Sequence, residues 1–271
     1  MRTQVLKFFK YLKWCFRGGY TEVNYSIVAY PEILKGKRAL ITGGSEGIGF
    51  AIAKKFLEAG AEVTITGRNM GKLQNAMDLL KDNERLHILQ WDVCDVDKID
   101  KKLQNVCNVM GGMDIFVNNA AYLTNDNPTL DVFRRTMTTN VEAAYFLCSK
   151  VCKIMQGGNG VTGGHVLNIS SINSFQACSH PYFISKRALN AITEGFAKQY
   201  VPYNIIVNAI APGYCNSSIN KQDKGNAYRD EHLNKRITLP EEIAEIALFL
   251  CSGAANGIIG QTIVCDGGAL L

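Results

Sequence analysis

Several features are missing from this sequence, and each absence excludes something. Its 271 residues contain no run of 18 apolar residues, the length a membrane-crossing helix requires. Nine cysteines are present, an odd number, and no CxxC occurs among them, so neither a disulfide framework nor a cysteine-based zinc site can be read. The four histidines, His87, His165, His180 and His232, stand apart and none pairs at metal-ligand spacing. Lysine and arginine form no dense run. With a net charge of only +5, the chain carries no nucleic-acid footprint. It has no internal repeat and no low-complexity segment.

The residues that are present describe an ordinary globular enzyme-sized chain. A hydrophobic content of 47% supports one large core, and the length is short for two typical domains. Most cysteines sit in apolar runs, such as Cys148 and Cys152 in AAYFLCSKVC, Cys251 in IALFLC and Cys265 in TIVCDGG. They read as small buried hydrophobes of a reducing compartment, which places the protein in the cytoplasm.

Residues 1–33 form a separate basic extension. Lys7, Lys10, Lys13 and Arg17 recur at helical spacing among Val5, Leu6, Phe8, Phe9, Leu12 and Phe16, and no acid precedes Glu22. The pattern predicts an amphipathic helix over residues 4–17. Three roles stay open for it: packing on its own domain or a partner subunit, peripheral contact with a membrane surface, or organelle targeting. It is too charged for a secretory signal and lacks a small-residue cleavage site.

From Leu34 to residue 271 the pattern becomes regular and reads as a single domain. Short apolar runs (KRALITGG, AEVTITGR, LHILQWDV, MDIFVNNAA, GHVLNISS, YNIIVNAIAPG, GQTIVCDGG) predict seven strands. Segments of helical periodicity separate them, including one long stretch, TLDVFRRTMTTNVEAAYFLCSKVCKIMQ, and a helix opening at Pro240 with acids in its first turn. Such alternation predicts an α/β fold, a doubly wound parallel sheet of Rossmann type with helices on both faces. Ligands in such folds bind at the carboxyl ends of the strands. Gly43, Arg68, Asp92, Asn118, Ser171 and Pro212 all fall there.

Two motifs carry the chemistry. TGGSEGIG, residues 42–49, joins the first strand to the first helix. Glycines at that junction allow a tight turn and a close approach of backbone N–H groups to a pyrophosphate at the helix N-terminus. PYFISK sets Tyr182 and Lys186 four residues apart on one helix face. A tyrosine near its ordinary pKa of ~10 exchanges protons poorly at neutral pH, and an adjacent cation lowers that value.

The order of these motifs resembles the short-chain dehydrogenase/reductase family in its single-domain branch. The spacing of Thr42, Gly43, Gly47 and Gly49, then NNAA at 118–121, Asn140 in TNVEAAYF, NISS before Tyr182 and Lys186, VNAIAPG and the closing GQTIVCDGG follow in the family's sequence. The resemblance implies hydride transfer between a nicotinamide dinucleotide and a carbonyl or secondary alcohol, with 3-oxoacyl reduction as one candidate. It implies Tyr182 as the acid/base, Lys186 on the nicotinamide ribose, Ser171 on the substrate oxygen with Ser170 as the alternative, and Asn140 in a water relay. Thr42, Gly43, Ser45, Glu46, Gly47, Ile48, Gly49, Asn119, Ala120, Pro212, Gly213 and Ser217 would surround the cofactor, with Asp92 and Val93 at the adenine. It also implies a homodimer or homotetramer.

The second strand ends in Gly67 and Arg68 with no acid, which favours NADP(H), with NAD(H) the alternative. Glu46 stands against that preference, since NADP-preferring relatives often carry a base there. Two departures are plain: the segment between Ser171 and Tyr182 is about two residues short, and Ala121 replaces a glycine. A non-catalytic NADP-binding scaffold is the competing reading.

Overall fold

The computed structural model describes residues 32–81, 84–124, 127–157, 163–215, 227–230 and 232–271. The predicted helix at 4–17, most of the extension and Ser217 lie outside the described residues.

All seven predicted strands form: β1 Arg38–Thr42, β2 Glu62–Gly67, β3 Leu86–Gln90, β4 Ile115–Asn118, β5 Gly164–Ile169, β6 Ile205–Pro212 and β7 Thr262–Cys265. Their order in the sheet is β3-β2-β1-β4-β5-β6-β7, and every pairing is parallel. Among the described residues the α-helices are α1 Gly47–Glu58, α2 Met70–Leu80, α3 Ile99–Met110, α4 Leu130–Met137, α5 Ala143–Gly157, α6 Pro181–Tyr200 and α7 Pro240–Leu250. The strand order reverses between β1 and β4, which opens a crevice at their carboxyl ends.

Each strand sends alternate side chains to opposite faces. Ala39 and Ile41 of β1 enter a core built with Phe56 of α1, Leu73 of α2 and Ile243 of α7, whereas Leu40 enters one built with Leu103 of α3, Leu147 of α5 and Phe196 of α6. β6 is buried along its whole length, as its nearly unbroken apolar run requires, and Ile206 is a sheet-packing residue there. The one amide in β6, Asn208, donates to the Ile258 carbonyl at 2.6 Å and accepts from the Gln261 N–H at 2.9 Å. A second buried polar chain crosses the middle of the sheet. Asn118 of β4 donates to Asn168 of β5 at 3.0 Å, and Asn168 donates to Thr193 of α6 at 3.0 Å.

Two expectations need amending. The long helical stretch is interrupted by a π turn, Thr138–Glu142, between α4 and α5. The wider turn leaves Asn140 buried, and a 3.6-residue apolar period does not disclose it. The cysteines are also not uniformly buried. Cys107, Cys148, Cys152, Cys215 and Cys251 are, but Cys178, on the loop before α6, is exposed.

Candidate active site

The crevice is a cleft of about 1910 Å³ lined from the ends of β1 to β6. Its first wall is the turn between β1 and α1. Gly43 has φ +65° and Gly47 φ +61°, conformations that a side chain resists. A Cβ on Gly49 would run into the Gly43 carbonyl and the Asn119 amide, so glycine there lets α1 close onto the strand. No side chain caps the first turn of α1, and its residues Gly47 and Ile48 line the cleft. Uncapped N–H groups at a positive helix end fit a pyrophosphate.

The turn is braced from β4. Asn119 donates from its amide to the Thr42 and Gly43 carbonyls, each at 2.9 Å. Thr42 Oγ1 accepts from the Asn119 and Ala120 N–H groups, each at 3.1 Å. Gly43, Ser45, Glu46, Asn119 and Ala120 line the cleft, whereas Thr42 and Gly49 lie behind its wall and shape it.

Farther along, Arg68 follows β2 and also lines the cleft. Its neighbour Lys72, in the first turn of α2, donates to both Glu46 oxygens at 2.8 and 3.0 Å. Sequence reasoning passed over Lys72, whose only signal was a base four residues beyond Arg68. Asp92 and Val93 line the same end, and Asp92 Oδ1 accepts from the Cys94 N–H at 3.1 Å. Pro212 and Gly213 close the opposite end; a Cβ on Gly213 would meet the Asp266 backbone at 2.8 Å.

The first turns of α6 bring the titratable groups in. Tyr182 and Lys186 are both buried, and Lys186 Nζ lies 5.6 Å from the centre of the Tyr182 ring. Nζ donates to the Ile169 carbonyl at the end of β5, at 2.7 Å. Burial pushes the Tyr182 phenol up to about 12, and a hydrogen bond with Ser171 pulls the other way. The same burial lowers Lys186 to about 8. Burial dominates the phenol, and the group that opposes it is Ser171 rather than the lysine.

The structure also separates the two serines. Ser171 is the one that reaches Tyr182, and it accepts from the Asn173 N–H at 3.2 Å. Ser170 instead donates to Asn190 of α6 at 2.6 Å. Asn140 stands behind this end. It accepts from the Tyr122 N–H at 2.7 Å, and donates to the Tyr122 carbonyl at 2.9 Å and to Ser185 at 3.0 Å. It thereby fixes the segment after β4 against α6.

Residues 43–269 match the family model described as "Enoyl-(Acyl carrier protein) reductase". The human "Dehydrogenase/reductase SDR family member 4" is 33% identical over 253 residues, covering 87% of this chain and 88% of that protein. The chain belongs to the short-chain dehydrogenase/reductase family. A short-chain dehydrogenase from Burkholderia cenocepacia, solved in complex with NADP, superposes with a TM-score of 0.79 at 28% identity, over 88% of this chain and 99% of that one. A ketoacyl-(acyl-carrier-protein) reductase from Brucella melitensis, solved with NADH, gives 0.78 at 26%, over 88% and 100%.

As a short-chain dehydrogenase/reductase, the chain is a nicotinamide-dependent oxidoreductase acting on a small molecule. Among the described residues, no helix is long and apolar enough to cross a membrane, and no His/Cys/Asp/Glu cluster could hold a metal ion.

Proposed function

We propose that the protein is a ketone reductase preferring NADP(H), in which Tyr182 protonates the substrate oxygen and Ser171 holds that oxygen in place. The observation that carries the reading is the convergence of Tyr182, Ser171 and Lys186 at one end of a cleft whose other end is an uncapped glycine turn. When bound, the reduced nicotinamide supplies hydride to the carbonyl carbon. Tyr182 gives its hydroxyl proton to the carbonyl oxygen as negative charge develops there. Lys186, already anchored on Ile169, keeps further donors for the ribose hydroxyls.

The NADP(H) preference rests on Arg68 and Lys72 together. Glu46, which argues against a 2′-phosphate on sequence grounds, is neutralised by Lys72 at 2.8 Å. A phosphate arriving beside Arg68 would meet two cations and one carboxylate. A 3-oxoacyl derivative is the substrate class the Brucella relative's name suggests, and we carry it over as a proposal. We further propose that residues 34–271 act as one catalytic unit in the cytoplasm. Assembly as a homodimer would cover the exposed Tyr145 and Phe146 of α5.

Titration of the purified protein with NADPH and NADH, followed by NADPH oxidation against 3-oxoacyl, steroid, sugar and small ketones, tests the reading. Tight NADPH binding with turnover of one ketone class supports it. NADPH binding without turnover of any carbonyl favours a non-catalytic nucleotide-binding protein.

A further inference from the structure

His180, two residues before Tyr182, is the N-cap of α6, and its ring lines the cleft. The next residue, Pro181, has no N–H, so the first amide available for capping is that of Tyr182. That amide donates to His180 Nδ1 at 3.2 Å. A neutral imidazole carries one hydrogen, and a ring whose Nδ1 accepts bears it on Nε2. The tautomer is therefore set by the backbone of the same residue we assign as proton donor. Phe183 packs edge-on against the ring, with centroids 6.2 Å apart, and limits its rotation. Among the described residues, Nε2 makes no hydrogen bond. Asn173 and Gln176 also line the cleft.

We infer that His180 reads the substrate: its Nε2–H donates to a second acceptor group carried by the ketone, such as an ester, thioester, amide or carboxylate oxygen. The inference rests on the ketone-reductase reading and narrows it to ketones bearing such a group. Asn173 and Gln176 add amide groups to the lining of the cleft, which suits a polar substrate end over a hydrocarbon one. An imidazole held by the Tyr182 amide and Phe183 loses little freedom on binding, so its hydrogen bond is spent on recognition.

The test compares two methyl ketones of equal chain length, ethyl acetoacetate and methyl pentyl ketone, with NADPH as reductant. The variant His180→Asn keeps an acceptor at the N-cap, where asparagine is among the preferred residues, and its remaining amide N–H ends one bond short of the ring Nε2–H it replaces. Wild-type protein is expected to favour ethyl acetoacetate in kcat/KM. His180→Asn should lower that preference about tenfold, mainly through the KM for the ester, as expected for one lost hydrogen bond. His180→Ala, which removes cap and donor together, should lose activity on both ketones and melt earlier.

Equal loss on both ketones in His180→Asn would make His180 a capping residue only and overturn the inference, leaving the ketone-reductase reading intact. An unchanged preference overturns it likewise. Wild-type protein that reduces neither of these ketones, nor any other ketone tested, overturns the underlying reading and this inference with it.

Discussion

Replacing Lys186 by methionine should make the protein more stable at pH 7 while removing its activity. The amine is buried, and desolvation lowers it from 10.5 to about 8. Holding the charge in the folded state thus costs on the order of 3 kcal/mol below pH 8. Methionine removes that cost but strands the Ile169 carbonyl, which returns about 1 kcal/mol. The net gain of about 2 kcal/mol corresponds to a rise in Tm of roughly 5 °C. The pH dependence has a definite sign. Between pH 8 and 10.5 the folded lysine holds fewer protons than the unfolded one, so wild-type stability climbs across that window. The advantage of Lys186→Met is therefore full at pH 7 and mostly gone by pH 10. Urea unfolding of both proteins without cofactor at the two pH values measures it. A variant no more stable than wild type at pH 7, or one whose advantage persists at pH 10, refutes the reasoning.

Further outcomes follow from the same geometry. Tyr182→Phe should lower kcat at least a hundredfold, the usual scale of a lost general acid, while NADPH still titrates tryptophan fluorescence; retained turnover removes Tyr182 from the mechanism. Gly49→Ala should cost roughly 1–3 kcal/mol in urea unfolding, because backbone on one side and Asn119 on the other leave a Cβ no room. An unshifted unfolding midpoint would show that the turn can give way. Lys72→Gln leaves Glu46 unneutralised beside Arg68, so the ratio of NADPH to NADH affinity should fall roughly tenfold. A constant ratio places the 2′-phosphate elsewhere. Deleting residues 1–19 should release the protein from anionic liposomes if the extension is a membrane contact, and a full-length chain that never sediments with liposomes ends that idea.

The sheet was legible because each strand is a short apolar run ending in a residue type with its own conformational or chemical demand. The glycine turn and the Tyr182–Lys186 pair were legible because each rests on local spacing alone. What escaped the sequence depends on elements meeting in space. Lys72 neutralises Glu46 only because α2 starts beside the end of β1. The rise of Tyr182 to about 12 reflects how much protein covers it, a quantity that four-residue spacing does not encode. Ser171 and Ser170 are adjacent, and only the direction in which β5 ends decides which one meets the phenol. His180 was seen as an isolated histidine, although His-Pro-Tyr already holds the reason its ring binds the tyrosine amide.

The buried chain Asn118–Asn168–Thr193 has a consequence for how the molecule reaches this arrangement. If β5 settled one residue out of step with β4, Asn168 would turn to the other face of the sheet and both asparagine amides would lose their partners. An apolar strand would tolerate that slip with little loss, since β5 has apolar neighbours on either side. Two stranded amides would not be tolerated so readily, at about 1–3 kcal/mol each. The polar chain therefore holds the native strand alignment against its one-residue slip. The alignment it guards sets where β5 ends, and hence where Ile169 offers its carbonyl to Lys186.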